Sequence, residues 1–285
     1  MLKSIITADG SVSLYDEESG ESFHSRSGAR QEAFEVFAKP LISCCQKQEI
    51  LNVLDACFGL GYNSFALLEL LQDKYPGMTV NIIGLETNRS LASEFMMGKK
   101  VFPGSADLIS QLSEKNEAVS GRVHIQLIYR SITDLFLPEP GEKMPYLPRP
   151  LHLIMHDPFS PSRFPELWCA EIFSAYYKLL GTGGAGATYS CAVPVRAAMI
   201  EAGFAVYRTA PAGHKKHSLL FIKKPGSRGD ADIHDLYEQA AADIPWRYAP
   251  DRTSIIETRK ICQLQSTARE GRCSIKKFLK NGNHA

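Results

Sequence analysis

Three acidic side chains each close a short apolar run: Asp55 in "ILNVLDA", Glu86 in "VNIIGLE" and Asp157 in "LHLIMHD". Runs of this kind read as buried strands, which puts the carboxylates at strand ends, where open α/β sheets bind their ligands. Directly after the first run, the stretch "LDACFGLGYN" sets Gly59 and Gly61 ahead of an amphipathic segment. Without Cβ atoms, such a turn lets a ligand approach backbone N–H groups at the start of a helix. A dinucleotide fingerprint asks for a third glycine at position 64, where Ser64 stands, so a nicotinamide cofactor is disfavoured. Glu86 is placed to accept hydrogen bonds from two adjacent ribose hydroxyls, whereas Asp55 can pair with a cationic amino group or hold the loop. G-x-G alone is weak, and acids at strand ends also cap helices. Joined in a strand–helix–strand frame, these features favour S-adenosyl-L-methionine.

The third acid opens the sharpest feature, "HDPFSPSRFPELW" from His156. Pro158 and Pro161 restrict the backbone, so that Phe159 is presented at the strand end. An acid followed by proline and an aromatic resembles the Asp/Asn-Pro-Pro-Tyr/Phe element of methyltransferases that act on amino groups. That resemblance implies a polar side chain accepting hydrogen bonds from a target nitrogen and a ring packing on the target's planar part. The alternative is an Asp157 that caps the helix beginning near Pro165.

These residues need a frame, and the chain supplies one. Around "ILNVLDA", "VNIIGLE", "RVHIQLIY", "LHLIMHD" and "GAGATYS", amphipathic segments intervene, among them "YNSFALLELLQDKY", "NRSLASEFMMGKKVF", "PELWCAEIFSAYYKLL" and "VPVRAAMIEAG". Strands alternating with helices imply an α/β fold with a doubly wound, mainly parallel sheet. The closing pair "FAVYRTA" and "HSLLFIK" has only a short connection, which implies an antiparallel edge hairpin at the C-terminal side. Ahead of the frame, residues 1–48 read as an extension: an N-terminal β-hairpin turning at Asp9-Gly10, then a helix over "SGARQEAFEVFAKPLISCC" that Pro40 ends or kinks. The five prolines of "FLPEPGEKMPYLPRP" predict an irregular surface connection. The frame thus spans 49–224, and 225–285 reads as a polar, basic tail.

Bulk properties exclude little and agree with this. The 285 residues carry 32 Lys and Arg against 31 Asp and Glu, but from Lys215 onward the balance is 14 against 8, leaving 18 against 23 before it. A basic excess of this kind suits either a solvated face or contact with nucleic acid. No apolar run is long enough to span a bilayer, and the N-terminus lacks a secretory pattern, so no membrane association and a cytoplasmic location are expected. The seven cysteines form no C-x-x-C pair, which predicts reduced thiols and no metal.

Taken in order, "ADGSVSLYD", "FHSRSGARQEAFEVF", "LDACFGLGYN", "DPFSPSRFPELWCAEIF", "GATYSCAVPVRAAMIEAGF" and "GHKKHSLLF" resemble the methyltransferase domain of the MnmC family, including its stand-alone MnmD type, over roughly residues 6–221. The resemblance implies a Rossmann-like S-adenosyl-L-methionine-dependent methyltransferase acting on the primary amine of 5-aminomethyl-(2-thio)uridine at the tRNA wobble position. The flavin-dependent oxidase domain of bifunctional members is not expected within these residues. Carried over by motif, Gly59, Gly61 and Asn63 line the methionine and ribose side, Glu86 holds the ribose, and Asp157 with Phe159 meets the target amine. Tyr189 and Arg196 border the pocket, while Lys215, Lys216, Arg196 and the basic tail contact phosphates of the anticodon stem.

Two departures stand out. Cys57 and Leu60 replace a glycine and a threonine usual in the family, and "YRSITD" replaces its Gly-Asp after the third strand, leaving Ser131 or Asp134 as substitutes for the adenine contact. "IPWRYAPD" is similar to the Pro-(Tyr/Trp)-Arg tail of the stand-alone type. Two other functions compete with the tRNA reading: amino-group methylation of a protein or small molecule, and a catalytically silent relative that binds cofactor or RNA.

Overall fold

A computed structural model describes residues 1–138, 145–209, 217–225 and 245–246. It opens with a small antiparallel sheet of β1 (Leu2–Ile6), β2 (Val12–Asp16) and β3 (Glu21–Ser22). The tight turn expected at Asp9-Gly10 is replaced by a longer loop, since Ile6 pairs with Val12. The Asp9 carboxylate organises that loop, accepting hydrogen bonds from Thr7 Oγ1 at 2.7 Å and from the backbone N–H groups of Ser11 at 3.0 Å and Gln31 at 2.9 Å. The last of these fastens the sheet to the helix that follows. That helix runs from α1 (Ala29–Glu32) through a π-wound stretch, Ala33–Ala38, into α2 (Lys39–Cys44). Pro40 therefore does not end it. A proline removes one N–H and crowds the preceding turn, and the wider winding just ahead accommodates both.

The main body follows the expected alternation: β4 (Ile50–Ala56), α3 (Tyr62–Lys74), β5 (Thr79–Leu85), α4 (Gly98–Val101), α5 (Ala106–Glu114), β6 (Glu117–Ser120), β7 (Val123–Ile128), α6 (Ile132–Phe136), β8 (Leu151–His156), α7 (Ala170–Leu179), β9 (Leu180–Thr188), α8 (Val193–Glu201), β10 (Ala205–Arg208) and β11 (Leu219–Ile222). Between β5 and α4 the chain is 3₁₀-wound over Arg89–Met97, where the sequence suggested one continuous helix. The strands form one sheet in the order β10-β11-β9-β8-β4-β5-β7-β6. Pairs β9/β8, β8/β4, β4/β5 and β5/β7 are parallel, while β11 closes antiparallel on β9 and on β10. The fold is thus the doubly wound sheet with a C-terminal edge hairpin. A second antiparallel edge, β6 on β7, was not legible, because "EAVS" is short and mostly polar.

From β4 the chain winds outward to β5 and β7, then returns to the other side of β4 as β8 and β9. This reversal opens a crevice at the carboxyl ends of β4 and β8. The N-terminal extension packs into the same core as the sheet: Leu14, Phe37 and Leu41 belong to one buried cluster with Val53, Leu67 and Ile82. On the other face Trp168, Phe173, Tyr176, Phe204 and Phe221 form a second cluster, against which Trp246 packs. The Trp246 carbonyl accepts a hydrogen bond from the Ala170 N–H at 3.0 Å, which anchors the "PW" pair of "IPWRYAPD" at the start of α7. Among the described residues no helix is long and apolar enough to cross a membrane.

Candidate active site

A cavity of about 460 Å³ sits over the crevice. Its floor comes from the ends of β4 (Cys57, Phe58, Gly59), β5 (Leu85, Glu86, Thr87), β7 (Arg130, Ser131, Ile132), β8 (Asp157–Ser160) and β9 (Tyr189). Its remaining wall comes from Asn63 of α3, from Leu167, and from the N-terminal extension, residues 21–25 and Glu32. The volume lies in the range of small-molecule sites.

The glycine loop is held to the end of β5 by Glu86. Its Oε2 accepts the Gly59 N–H at 3.0 Å, and its Oε1 accepts those of Thr87 at 2.7 Å and Asn88 at 2.9 Å. Burial raises the pKa of this carboxyl, and the three backbone donors oppose the rise. A carboxylate has about four acceptor positions; Oε1 takes three donors, counting the Thr87 hydroxyl at 3.5 Å, and Oε2 takes one, so one position on Oε2 remains for a hydroxyl on the cavity side. Gly59 lines the cavity with a φ of 53°. Gly61 does not line it: its φ is 77°, and a Cβ would fall 2.7 Å from both Phe58 Cζ and Phe65 Cε2. Its glycine serves aromatic packing under the loop, not a ligand.

Cys57, where the resemblance asks for glycine, has a φ of 120°. A side chain there is strained by about 1–3 kcal/mol, against roughly 0.5–1 kcal/mol of extra chain entropy carried by glycine. Cys57→Gly should therefore stabilise the fold by about 1 kcal/mol, raising the thermal midpoint by ~2–4 °C. An unchanged or lower midpoint in a thermal melt would contradict the strain. Burial, followed by the charges of Glu86 and Asp157, raises the thiol pKa well above its usual value, so this cysteine is a neutral lining group.

Two further expectations need correction. Asp55 is fully buried and does not reach the cavity; its Oδ2 accepts the Ser64 hydroxyl at 2.7 Å, which fastens α3 to the end of β4. Of its two possible tasks it performs the second. Arg196 is also buried, at 4% exposure in α8, and is not a lining residue. The α8 helix packs on α7 and β10, which turns this position inward. Lys215 and Lys216 lie outside the described residues, as do the tail cations Arg247, Arg252, Arg259, Lys260, Lys276 and Lys277.

At the β8 end the motif is braced from several sides. Asn63 Nδ2 donates to Asp157 Oδ2 at 2.8 Å, so this asparagine, expected on the cofactor side, orients the carboxylate. The Tyr189 hydroxyl donates to the Pro158 carbonyl at 2.9 Å, and Trp168 Nε1 donates to that of Phe159 at 2.9 Å. The phenol's pKa is raised by burial and then by the charges of Asp157, Glu21 and Glu32. Phe159 meets Phe23 edge-on, with centroids 5.6 Å apart. The Ser160 N–H donates to Glu21 Oε2 at 2.9 Å, which locks β3 onto the motif. Glu21, Phe23 and Glu32 were missed in the sequence, where nothing signals that the extension folds back over the sheet. His156, next to Asp157, is not part of the cavity: burial among Trp168, Phe173 and Tyr176 lowers its pKa to about 3, and Nδ1 lies 3.0 Å from the Tyr176 hydroxyl.

At the β7 end, Ser131 caps α6. Its Oγ accepts the Asp134 N–H at 3.0 Å and shares a hydrogen bond with Thr133 Oγ1 at 2.8 Å. Asp134 itself is exposed and does not line the cavity. Beside them the Arg130 guanidinium carries an enclosed Nη1 with no hydrogen-bond partner among the described residues. Among the described residues, no cluster of three or more His, Cys, Asp or Glu side chains is arranged to hold a metal.

Residues 106–224 match the profile of a family described as S-adenosyl-L-methionine-dependent methyltransferases. The chain is 26% identical over 277 residues to an uncharacterised protein of Methanocaldococcus jannaschii, covering 93% of this chain and 71% of that one. It is also similar to the tRNA 5-methylaminomethyl-2-thiouridine biosynthesis bifunctional protein MnmC. With that of Pseudomonas fluorescens it shares 27% identity over 161 residues, 55% of this chain and 24% of the relative. With that of Stutzerimonas stutzeri it shares 24% over 243 residues, 82% of this chain and 35% of the relative. The chain thus spans a quarter to about a third of these MnmC proteins. The crystal structure of MnmC2 from Aquifex aeolicus superposes with a TM-score of 0.66 at 22% identity, covering 89% of this chain and 80% of that one.

Proposed function

We propose that this chain, an S-adenosyl-L-methionine-dependent methyltransferase with an MnmC-like domain, methylates the amino nitrogen of 5-aminomethyl-(2-thio)uridine at the wobble position of the tRNA anticodon loop. The observation that carries the reading is the pairing of an oriented carboxylate with a half-buried ring that lines one end of the cavity, Asp157 held by Asn63 and Phe159 backed by Phe23.

Gly59 and Glu86 would hold the cofactor's methionine and ribose parts. The orphaned Nη1 of Arg130 and the one spare acceptor position of Glu86 fit a nucleoside. When bound, S-adenosyl-L-methionine supplies an electrophilic methyl on a sulfonium. The chain's own work is to bring a free amine into line with it. An alkyl amine is mostly protonated in water; enclosure by Phe159, Leu167 and Tyr189 favours its neutral form, while the Asp157 carboxylate pulls the other way by stabilising the ammonium. Asp157 Oδ accepts an N–H of the bound amine and takes up the proton that leaves as the nitrogen becomes positive. Phe159 offers a face for the uracil ring of a base drawn out of the loop. Basic residues of the 215–285 region would meet the phosphates, so tRNA affinity should fall as salt rises.

Glu86→Ala removes the ribose acceptor and releases the glycine loop. Loss of a hydrogen bond to a charged acceptor predicts a cofactor affinity lower by roughly ten- to a hundredfold, read by calorimetric titration with S-adenosyl-L-homocysteine; unchanged affinity would remove Glu86 from the site.

The function itself is tested by incubating the protein with labelled S-adenosyl-L-methionine and either tRNA carrying 5-aminomethyl-(2-thio)uridine or tRNA lacking the aminomethyl group. Label should enter only the first and appear in 5-methylaminomethyl-(2-thio)uridine on nucleoside analysis. Equal labelling of both, or of neither, refutes the proposal. Incorporation into protein or small amines instead would support the rival substrate class.

A further inference from the structure

One polar side chain of the cavity, Arg130, fits a nucleoside in general terms but has no specific contact assigned to it above. Across the sheet its lining runs from the end of β8, through β4 and β5, to the end of β7. With strands about 4.8 Å apart, Asp157 on β8 and Arg130 on β7 stand about three strand spacings from each other. The proposed transfer occurs beside Asp157 and the ribose is held at Glu86. The purine of the cofactor therefore lies at the β7 end.

Three side chains line that end: Arg130, Ser131 and Ile132. The Ser131 hydroxyl is engaged in capping α6. Ile132 is apolar and 2% exposed. Arg130 remains, with Nη1 enclosed and unpartnered among the described residues. A guanidinium carries five N–H donors and no acceptor. It cannot meet the exocyclic amine of adenine, but it can donate to a ring nitrogen. A phosphate ligand fits the cavity poorly, because Glu21, Glu32, Glu86 and Asp157 also line it.

We propose that Arg130 reads the adenine of S-adenosyl-L-methionine by donating a hydrogen bond to one of its ring nitrogens. Recognition at this end then runs through the acceptors of the base, in place of a carboxylate that would accept from its amine. The proposal rests on the cofactor reading and is independent of the tRNA substrate.

The test is calorimetric titration of the wild-type protein and Arg130→Ala with S-adenosyl-L-homocysteine and with its 1-deaza, 3-deaza and 7-deaza analogues, each of which lacks one ring acceptor. One of the three analogues should bind the wild type about tenfold more weakly than the parent, and the same analogue should bind Arg130→Ala as well as the parent does. Arg130→Ala should bind the parent about tenfold more weakly than the wild type. A Lys variant at this position, Arg130→Lys, keeps a donor and should recover part of the discrimination, which a merely structural role would not do. If every deaza ratio is the same in wild type and Arg130→Ala, the assignment is overturned. Failure of the parent ligand to bind the wild type overturns the cofactor reading together with the proposal, an outcome distinct from flat ratios.

Discussion

Asp157→Ala should lower methyl transfer by about 10²–10⁴-fold while leaving the affinity for S-adenosyl-L-homocysteine within about threefold of the wild type. The split follows from position. Asp157 lies at the β8 end of the cavity, fixed by the Asn63 amide at 2.8 Å, whereas Glu86, Gly59 and Arg130 line the rest of the floor. Removing Asp157 takes away the acceptor of the amine's proton and leaves the proposed cofactor contacts intact. Asp157→Asn keeps an acceptor oxygen but cannot take up a proton, so it should retain more activity than alanine and less than the wild type. Turnover on aminomethyl-bearing tRNA and calorimetric titration with S-adenosyl-L-homocysteine separate the two quantities. A parallel loss of both would mean that Asp157 acts by supporting the cavity, and the catalytic assignment would fall.

The second large effect concerns stability. Burial raises the Asp55 carboxyl pKa from 3.8 to about 8, with the Ser64 hydroxyl opposing the shift and the Glu86 charge adding to it. Below about pH 4 the group is protonated in both folded and unfolded chains and costs nothing. Between there and about pH 8 the folded chain holds a proton that the unfolded chain has released, so stability falls as pH rises, by up to about 1.4 kcal/mol per pH unit. Above about pH 8 both forms are ionised and the loss levels off. Asp55→Asn keeps the shape and the hydrogen bond from Ser64 but does not titrate. It should therefore remove this dependence, melting close to the wild type near pH 4 and gaining on it steadily as pH rises, to several kcal/mol near pH 8. Other groups titrate over the range, and the difference between the two proteins isolates Asp55. Parallel stability profiles from denaturant melts at pH 5, 6.5 and 8 would show that the carboxyl is ionised at little cost in the fold.

Much of the fold is legible in residue order. Apolar runs such as "ILNVLDA" and "LHLIMHD", short and alternating with longer amphipathic segments, read as buried strands, and the helices between them favour parallel pairing. Elements decided by other forces were not legible. β6 pairs through its backbone while three of its four residues are exposed, so it leaves no apolar signature. The 3₁₀ winding of Arg89–Met97 and the π stretch Ala33–Ala38 share the apolar spacing of an ordinary helix. The loop at Asp9-Gly10 follows the Asp9 carboxylate, whose partners include Gln31, distant in sequence.

What the sequence determined alone is the placing of Glu86, Asp157 and Gly59 at strand ends, because a strand that runs into a loop must release its last side chains at one edge of the sheet. The tertiary structure alone decided which polar groups face the cavity. It buried Asp55 against Ser64, buried Arg196 in α8 away from the cavity, set Asn63 on Asp157 and closed the site with Glu21, Phe23 and Glu32 from the extension. These outcomes depend on contacts between residues tens of positions apart. Packing and hydrogen-bond satisfaction across the assembled core select among them, and no local pattern of residue types encodes that selection.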